Sequence, residues 1–253
     1  MRTKKIFVLI QARMGSKRLP GKVLKKIGGK ALIEILLDRL KESKRLDKII
    51  VLTSTSRSDD VLASFLKNKS IICFRGDEND VLDRYYQAMK EYPSDYVVRI
   101  TGDCPLIDPE LLDNIIDMIT TTEADYCSNV FQNSFPDGQD IEIFKSSVLR
   151  EAWREAHLNS EREHVTPYII KNTDINGGKL FKAKAYESIS SFSNIRMTVD
   201  TLSDFNAIKI LVNELGYNQT WDVYTHYIIN NPKKFYNQEI IRNLGYINSL
   251  END

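Results

Sequence analysis

The sequence is poor in cysteine, carries no net charge and contains no long apolar run. Its three cysteines, Cys73, Cys104 and Cys127, are far apart and odd in number, which indicates neither a disulfide framework nor a zinc site. Lysine plus arginine and aspartate plus glutamate both number 35. This balance argues against binding to nucleic acid or a membrane surface, because proteins that do so usually carry a basic excess. No apolar run approaches the length that crosses a bilayer, and residues 1–5 lead into an apolar run without a signal-peptide pattern. We therefore expect a cytoplasmic protein.

The stretch 6–24, IFVLIQARMGSKRLPGKVL, combines an apolar strand with a basic loop. Residues 6–10 form an unbroken apolar run, as in a strand whose two faces are both buried. The loop contains glycine and proline, which allow sharp turns, and four cations: Arg13, Lys17, Arg18 and Lys22. Because open α/β sheets hold their ligands at the carboxyl ends of strands, the pattern indicates a site for a polyanion such as a triphosphate. The alternative, a solvated basic loop, fits less well with a run that directly follows a buried strand.

Neither common phosphate-binding motif fits this loop. A Walker loop needs four residues between its glycines and Ser or Thr after the lysine, whereas five residues separate Gly15 from Gly21, and Lys22 precedes Val23. No GxGxxG fingerprint follows the strand. The side chains themselves must therefore hold the phosphates, arginine through its fork and lysine as a point charge.

The first half of the chain alternates between strand and helix patterns. Apolar runs predict strands at 6–10, 48–53, 71–74 and 96–101. Helical spacing predicts helices at 31–43, 59–67 and 81–91, the second with Ser58 as its N-cap. This order implies parallel strands joined by right-handed crossovers. We expect a three-layer α/β/α sandwich with a mostly parallel, Rossmann-like sheet.

The alternation weakens between residues 126 and 190. We expect an inserted lobe at 131–185, of the kind that often serves as a lid, an acceptor pocket or a dimer arm. Its predicted elements are a strand at 140–144, helices at 146–157 and 161–171, and a strand at 179–185. The chain then returns to the main sheet at 195–199 and closes with helices at 204–215, 221–230 and 237–244, before a loose tail from residue 248.

Two aspartates follow predicted strands of the main sheet. Asp103 lies just after the strand 96–101, and Asp200 directly follows the strand predicted at 195–199. Both should therefore lie at the sheet edge that carries the basic loop. A magnesium nucleotide needs hard oxygen ligands there, usually one or two carboxylates. The alternative is that each is a turn or helix-cap aspartate, which is a common role.

The opening motif QARMGSKRLPGKVL resembles that of the cytidylyltransferases that activate acidic sugars, the CMP-KDO and CMP-sialic acid synthetases. It is most similar to the branch of spore-coat polysaccharide biosynthesis. The segments RGDENDVLDRYYQA, RITGDCPLIDP, FPDGQDIE and MTVDTLSDF also occur in family order, while the last thirty or so residues carry little of the likeness. The resemblance implies the fold of nucleotide-diphospho-sugar transferases and a homodimer in which the inserted lobe is the arm.

The resemblance also implies roles for individual residues. Asp103 and Asp200 would bind Mg²⁺, although Thr198 stands where some relatives carry a further acid. The residues implied to bind the nucleotide are Gln11, Ala12, Arg13, Ser16, Lys22 and Arg75. Those implied to act in catalysis are Lys22, Arg13 and Asp103. Those implied to contact the acceptor are Asp137, Gln139, Glu142, Arg162 and His164. For His164, together with Glu161 and Glu163, a solvated helix face is an open alternative.

These implications define an expected activity. The chain would transfer CMP from CTP to an acidic sugar with release of pyrophosphate, in the biosynthesis of a surface polysaccharide or glycan. The alternatives are a nucleotidylyltransferase that uses another base or a phosphorylated acceptor, and a non-catalytic nucleotide-binding protein of the same fold.

Overall fold

A computed structural model describes residues 4–253. Seven strands form its main sheet, in the spatial order β5-β4-β1-β6-β8-β7-β9. They are β1 (Ile6–Gln11), β4 (Lys48–Ser54), β5 (Ile72–Gly76), β6 (Tyr96–Thr101), β7 (Tyr126–Ser128), β8 (Glu142–Lys145) and β9 (Ala183–Ala185). A separate two-stranded ribbon pairs β2 (Lys26–Ile27) with β3 (Lys30–Ala31).

Helices cover both faces of this sheet. They are α1 (Leu32–Leu40), α2 (Asp60–Asn68), α3 (Val81–Glu91), α4 (Pro109–Thr121), α5 (Ser146–Glu155), α6 (Asn159–His164), α7 (Pro167–Lys171), α8 (Leu202–Leu215), α9 (Trp221–Asn230) and α10 (Leu244–Ser249). The even residues of β1, such as Val8, pack against α1, α2 and α4. The odd residues, such as Leu9, pack against α3, α5 and α7. The predicted three-layer sandwich is confirmed, because a strand buried on both faces needs a helix layer on each side.

The parallel half of the sheet positions the site. Strand β1 pairs in parallel with β4 and β6, and its last residue, Gln11, lies opposite Leu52 and Thr101. The strands β1 and β6 therefore end at the same edge. Strand β8 runs antiparallel to both β6 and β7, so part of segment 131–185 lies inside the main sheet. The role of that segment in acceptor binding or dimerisation stays a prediction.

Several predicted elements differ in the structure. Residues 195–199 do not join the main sheet: they are extended but form only an isolated bridge, between Arg196 and Asp137. The helix predicted at 161–171 is divided into α6 and α7, and α2 is capped by Asp59 rather than Ser58. The helix predicted at 237–244 is a series of turns up to α10, and the predicted tail contains the end of α10 and a 3₁₀ turn, Leu250–Asn252. Within residues 4–253, no helix has both the length and the apolar character needed to cross a bilayer.

Candidate active site

The basic loop 12–21 is held in place by backbone hydrogen bonds. Met14 N–H donates to the buried carboxylate of Asp59 at 2.7 Å, and Gly21 N–H donates to Met14 O at 3.0 Å. Gly21 has φ 67°, a left-handed conformation that favours glycine. The closed loop leads into a 3₁₀ turn, Lys22–Leu24, whose first side chain points back across the end of β1.

Lys22 joins the two predicted metal ligands. Its Nζ lies 2.9 Å from Asp103 Oδ2 and 2.8 Å from Asp200 Oδ1, and Lys22 is only 8% exposed. Burial alone would lower the pKa of Lys22, but the charges of Asp103 and Asp200 together raise it above its ordinary value. Burial opposes ionisation of Asp103 as well, yet the charge and hydrogen bond of Lys22 lower its pKa to about 2. Lys22 and Asp103 are therefore both ionised at neutral pH.

Gly102 allows Asp103 to approach the end of β1. A Cβ on Gly102 would lie 2.9 Å from Ala12 Cβ and 3.0 Å from Gln11 O, closer than packed atoms tolerate. The Gly102 N–H donates to Gln11 O at 2.8 Å. The glycine therefore brings the carboxylate after β6 against the start of the basic loop.

Asp200 is fixed by a buried arginine that sequence reasoning missed. Arg196, 4% exposed, contacts Asp200 at 3.0 Å, Asp204 at 2.8 Å and Asp137. Arg18 contacts the same Asp200 oxygen from the loop, at 3.0 Å. Arg196 lies in an extended segment that precedes α8, so helical spacing gave no signal for its contact with Asp200.

A cavity of about 480 Å³ lies beside these charges, and we call it the nucleotide cavity. The predicted residues that line it are Gln11, Ala12, Arg13, Ser16, Lys22, Asp103, His164 and Asp200. The Ala12 N–H already donates to Leu52 O at 3.0 Å, so that group does not face a ligand. Arg75, predicted to help hold the nucleotide, does not line the cavity: it donates to the Ser54 and Ser56 carbonyls and pairs with Asp60. Arg84 lines the cavity instead, with its buried Nε unpartnered among the described residues.

A second cavity of about 510 Å³ adjoins the first, and we call it the acceptor cavity. Both cavities share Gln11, Asp103, His164 and Asp200. The acceptor cavity is also lined by the predicted residues Asp137 and Glu142, by Thr198, and by three arginines that were not predicted: Arg99, Arg196 and Arg242.

Two residues predicted to contact the acceptor lie outside this cavity. Gln139 is completely buried and bridges the backbone of Leu106 and Asp108. Arg162 pairs with Asp80 at 2.6 Å and donates to carbonyls at the end of α5. Both side chains use their polar groups to hold the scaffold, so neither is free to meet a ligand there.

The arginines of the acceptor cavity are paired with acids. Arg99 contacts Glu142, and Arg242 contacts Asp140. The Nε atoms of both arginines are buried without a hydrogen-bond partner in the described part of the chain. Burial raises the pKa of Asp140, and burial with the nearby Asp140 charge raises the pKa of Asp137 to about 7 in spite of Arg196.

The C-terminal segment forms one wall of both cavities. Leu244 and Gly245 line both, and Arg242 and Tyr246 line the acceptor cavity. Ser160 Oγ and N–H donate to the carboxylate of Asp253, which ties the chain end to α6. Sequence reasoning missed this wall because residues 237–253 have neither a clear period nor the family likeness.

The donor set fits a hard divalent cation. Asp103 and Asp200 come from separate segments, yet an oxygen of each lies within hydrogen-bond distance of one ammonium. Two carboxylates, with phosphate and water oxygens, are a common arrangement for Mg²⁺. In the described part of the chain there is no cluster of three or more His, Cys, Asp or Glu suited to a metal. At the position of the further acid, the Thr198 hydroxyl donates to the Asp103 carbonyl at 3.3 Å.

Comparisons with known proteins agree with this arrangement. A sequence model of the family described as "Cytidylyltransferase" matches residues 7–235. The uncharacterised protein MJ1063 of Methanocaldococcus jannaschii is 43% identical, over 79% of this chain and 80% of its own length. The spore coat polysaccharide biosynthesis protein SpsF of Bacillus subtilis is 34% identical, over 83% and 88%. The structure of a cytidylyltransferase from Leptospira borgpetersenii superimposes with a TM-score of 0.87 at 36% identity, covering 95% of this chain and all of that one.

Proposed function

The chain belongs to the cytidylyltransferase family, and from that premise we propose that it transfers CMP from CTP to an acidic sugar with release of pyrophosphate. The single observation that carries this proposal is the convergence of Lys22, Asp103 and Asp200 where two cavities meet. One cavity is rich in loop cations, as a triphosphate requires. The other is lined by arginines, which suit a carboxylate. The product would serve a surface polysaccharide or glycan, as the name of the spore-coat relative indicates for that protein.

The residues would act mainly by positioning and charge neutralisation. An acceptor oxygen attacks the α-phosphorus in line, and pyrophosphate leaves from the opposite side. Lys22, Arg13 and Arg18 lie at or beside the nucleotide cavity and would neutralise the oxygens of the triphosphate. Ser16 and Arg84 would hold the nucleotide from the loop and from α3. The second cavity orients the acceptor so that its attacking oxygen faces the first.

Asp103 and Asp200 would hold the magnesium ion of the nucleotide. When bound, Mg²⁺ supplies charge stabilisation at phosphoryl oxygens. Each carboxylate now contacts Lys22, so the ammonium must shift towards the phosphates when the ion binds. This would give Lys22 two roles: balancing the acids in the free protein and binding the nucleotide in the complex.

The acceptor is proposed from the charges around the acceptor cavity. Arg99 and Arg242 each have a buried, unpartnered Nε in the described chain, although each is also paired with an acid. Such donors favour a ligand with carboxylate or hydroxyl oxygens. Asp137 and Glu142 would accept hydrogen bonds from sugar hydroxyls.

Two further properties belong to the same proposal. A homodimer, with segment 131–185 as its arm, is expected from the family likeness, and sedimentation of the purified protein tests it. A cytoplasmic location is expected because CTP is the substrate and all three cysteines are free thiols. Fractionation of cells that express the protein tests this location.

The activity is tested by measuring pyrophosphate release with CTP, UTP, GTP and ATP against a panel of acidic sugars. Neutral sugars of the same ring size are the matched controls. We expect turnover with CTP and an acidic acceptor only. Preference for another nucleotide or for a phosphorylated acceptor would change the assignment within the enzyme class. Tight CTP binding without turnover on any acceptor would instead indicate a nucleotide-binding protein.

A further inference from the structure

One histidine lies at the boundary between the two cavities. His164 is the last residue of α6 and lines both the nucleotide and acceptor cavities. Its Nε2 atom is buried and has no hydrogen-bond partner among residues 4–253. A buried polar atom without a partner is unfavourable unless a ligand supplies one. His164 therefore lies where its Nε2 could contact a ligand at the boundary between the two cavities.

The backbone after His164 is strained. Val165 has φ 72° and ψ −53°, and Thr166 N–H donates to His164 O at 2.8 Å. This is a classic γ-turn, which is rare and especially unfavourable for a β-branched residue. Strain of this kind persists only where surrounding contacts impose it, and it concentrates at functional sites. The Val165 side chain is completely buried, so packing of the core holds the turn and ends α6 at His164.

Two sets of contacts hold α6 in place, and a third meets the imidazole of His164 itself. Arg162 on the same helix pairs with Asp80, the N-cap of α3, at 2.6 Å. Glu161 accepts hydrogen bonds from the backbone at the start of α6. Tyr246 of α10 meets the imidazole edge-on at 5.2 Å between ring centroids. The helix that carries His164 is therefore anchored to α3, and the ring packs against α10.

The charges around His164 favour a neutral ring. Burial lowers its pKa below the ordinary value of 6.5, and Arg99 of β6 and Arg13 of the basic loop act in the same direction. Glu163 on its own helix and Asp253 at the chain end oppose them without cancelling the shift. A neutral imidazole has a nitrogen lone pair that can accept a proton at neutral pH.

We propose that His164 is the general base of the transfer: its Nε2 accepts the proton of the attacking acceptor hydroxyl. The oxygen–hydrogen bond breaks as the oxygen–α-phosphorus bond forms. The bond from the α-phosphorus to the bridging oxygen breaks at the same time, and its electron pair leaves on pyrophosphate. The proton ends on the imidazole and passes to solvent after release of products. This inference rests on the proposed function, and it assigns that site a catalytic residue.

The test compares His164→Gln with His157→Gln and His226→Gln, which change the two other histidines, both exposed. We expect His164→Gln to lower kcat about 100-fold or more, as loss of a general base does, with the KM for CTP unchanged. The acidic limb of the pH profile of kcat/KM, below pH 6.5, should disappear in this variant and remain in both controls. Imidazole added to His164→Ala should restore part of the activity.

A second measurement does not depend on how the His164 variants fold. In the double variant His157→Gln, His226→Gln, His164 is the only histidine, and NMR should show one imidazole that titrates with the acidic limb. A kcat for His164→Gln within threefold of the native enzyme, or an imidazole that does not titrate with that limb, would overturn the inference. A native enzyme that releases no pyrophosphate with any acceptor would refute the proposed function instead.

Discussion

Replacing Lys22 with methionine removes the ammonium that contacts both Asp103 and Asp200, and its effect on stability can be worked out from the structure. In the folded protein the pKa of Asp103 is about 2, against an ordinary value of 3.8. One unit of pKa corresponds to about 1.4 kcal/mol, so ionised Asp103 contributes about 2.5 kcal/mol to the free energy of unfolding. Lys22→Met removes the cation that neutralises the partly buried Asp103, while Asp200 keeps its contacts with Arg18 and Arg196. We expect a loss of about 3–5 kcal/mol in the free energy of unfolding at pH 7.

The loss of unfolding free energy in Lys22→Met should become smaller as the pH falls. The folded pKa of Asp103 lies below its unfolded value, so its contribution is complete above about pH 5 and disappears as the pH falls from about 4 towards 2. About half of the contribution should be gone at pH 3. The free-energy difference between the native protein and Lys22→Met should therefore narrow across that range.

Urea unfolding at pH 7 and pH 3, in the presence of a chelator, measures this difference. The control is Lys17→Met, a change at an exposed lysine of the same loop, which should alter the free energy of unfolding by less than about 0.5 kcal/mol. Magnesium chloride without nucleotide should stabilise Lys22→Met more than the native protein, because the carboxylates are then free to bind the ion. Equal, small losses for both variants, or a loss for Lys22→Met that is unchanged at pH 3, would refute the reasoning.

Four other substitutions test separate parts of the account. Asp103→Asn and Asp200→Asn should each lower turnover at least about 100-fold while the circular dichroism spectrum is unchanged; near-normal rates would contradict the metal assignment. Arg84→Met should raise the KM for CTP about tenfold without changing the KM for the acceptor, as steady-state kinetics would show. Gly138→Ala should lower the melting temperature measurably, because Gly138 has φ 106° and a Cβ there would lie 2.6 Å from the carbonyl carbon of Met197; an unchanged melting temperature would contradict this packing.

The site residues that are positioned by the ends of the parallel strands could be predicted from the sequence. The apolar run before Gln11 and the strand before Gly102 identify two buried parallel strands, and such strands end at one edge. The meeting of Lys22 with Asp103 follows from that rule. The position of Asp200 was also correct, but for a different reason: residues 195–199 reach the site as an extended segment bridged to Asp137, not as a strand of the main sheet.

The rest of the site depends on contacts between residues that are distant in sequence. Nothing near Arg242 in the sequence indicates that it pairs with Asp140, about a hundred residues earlier. The γ-turn at Val165 is imposed by core packing against a local preference for other conformations. Arg75 and Arg84 are both plausible phosphate ligands by residue type, and only the course of β5 and α3 decides which one faces the nucleotide cavity.

A crystal structure of the native protein with CTP and Mn²⁺ is the most direct test of the central claim. We predict an anomalous peak for manganese in contact with Asp103 and Asp200, with the α-phosphate within hydrogen-bond distance of Lys22 Nζ. A nucleotide bound elsewhere, or a metal ion held without either aspartate, would contradict the account.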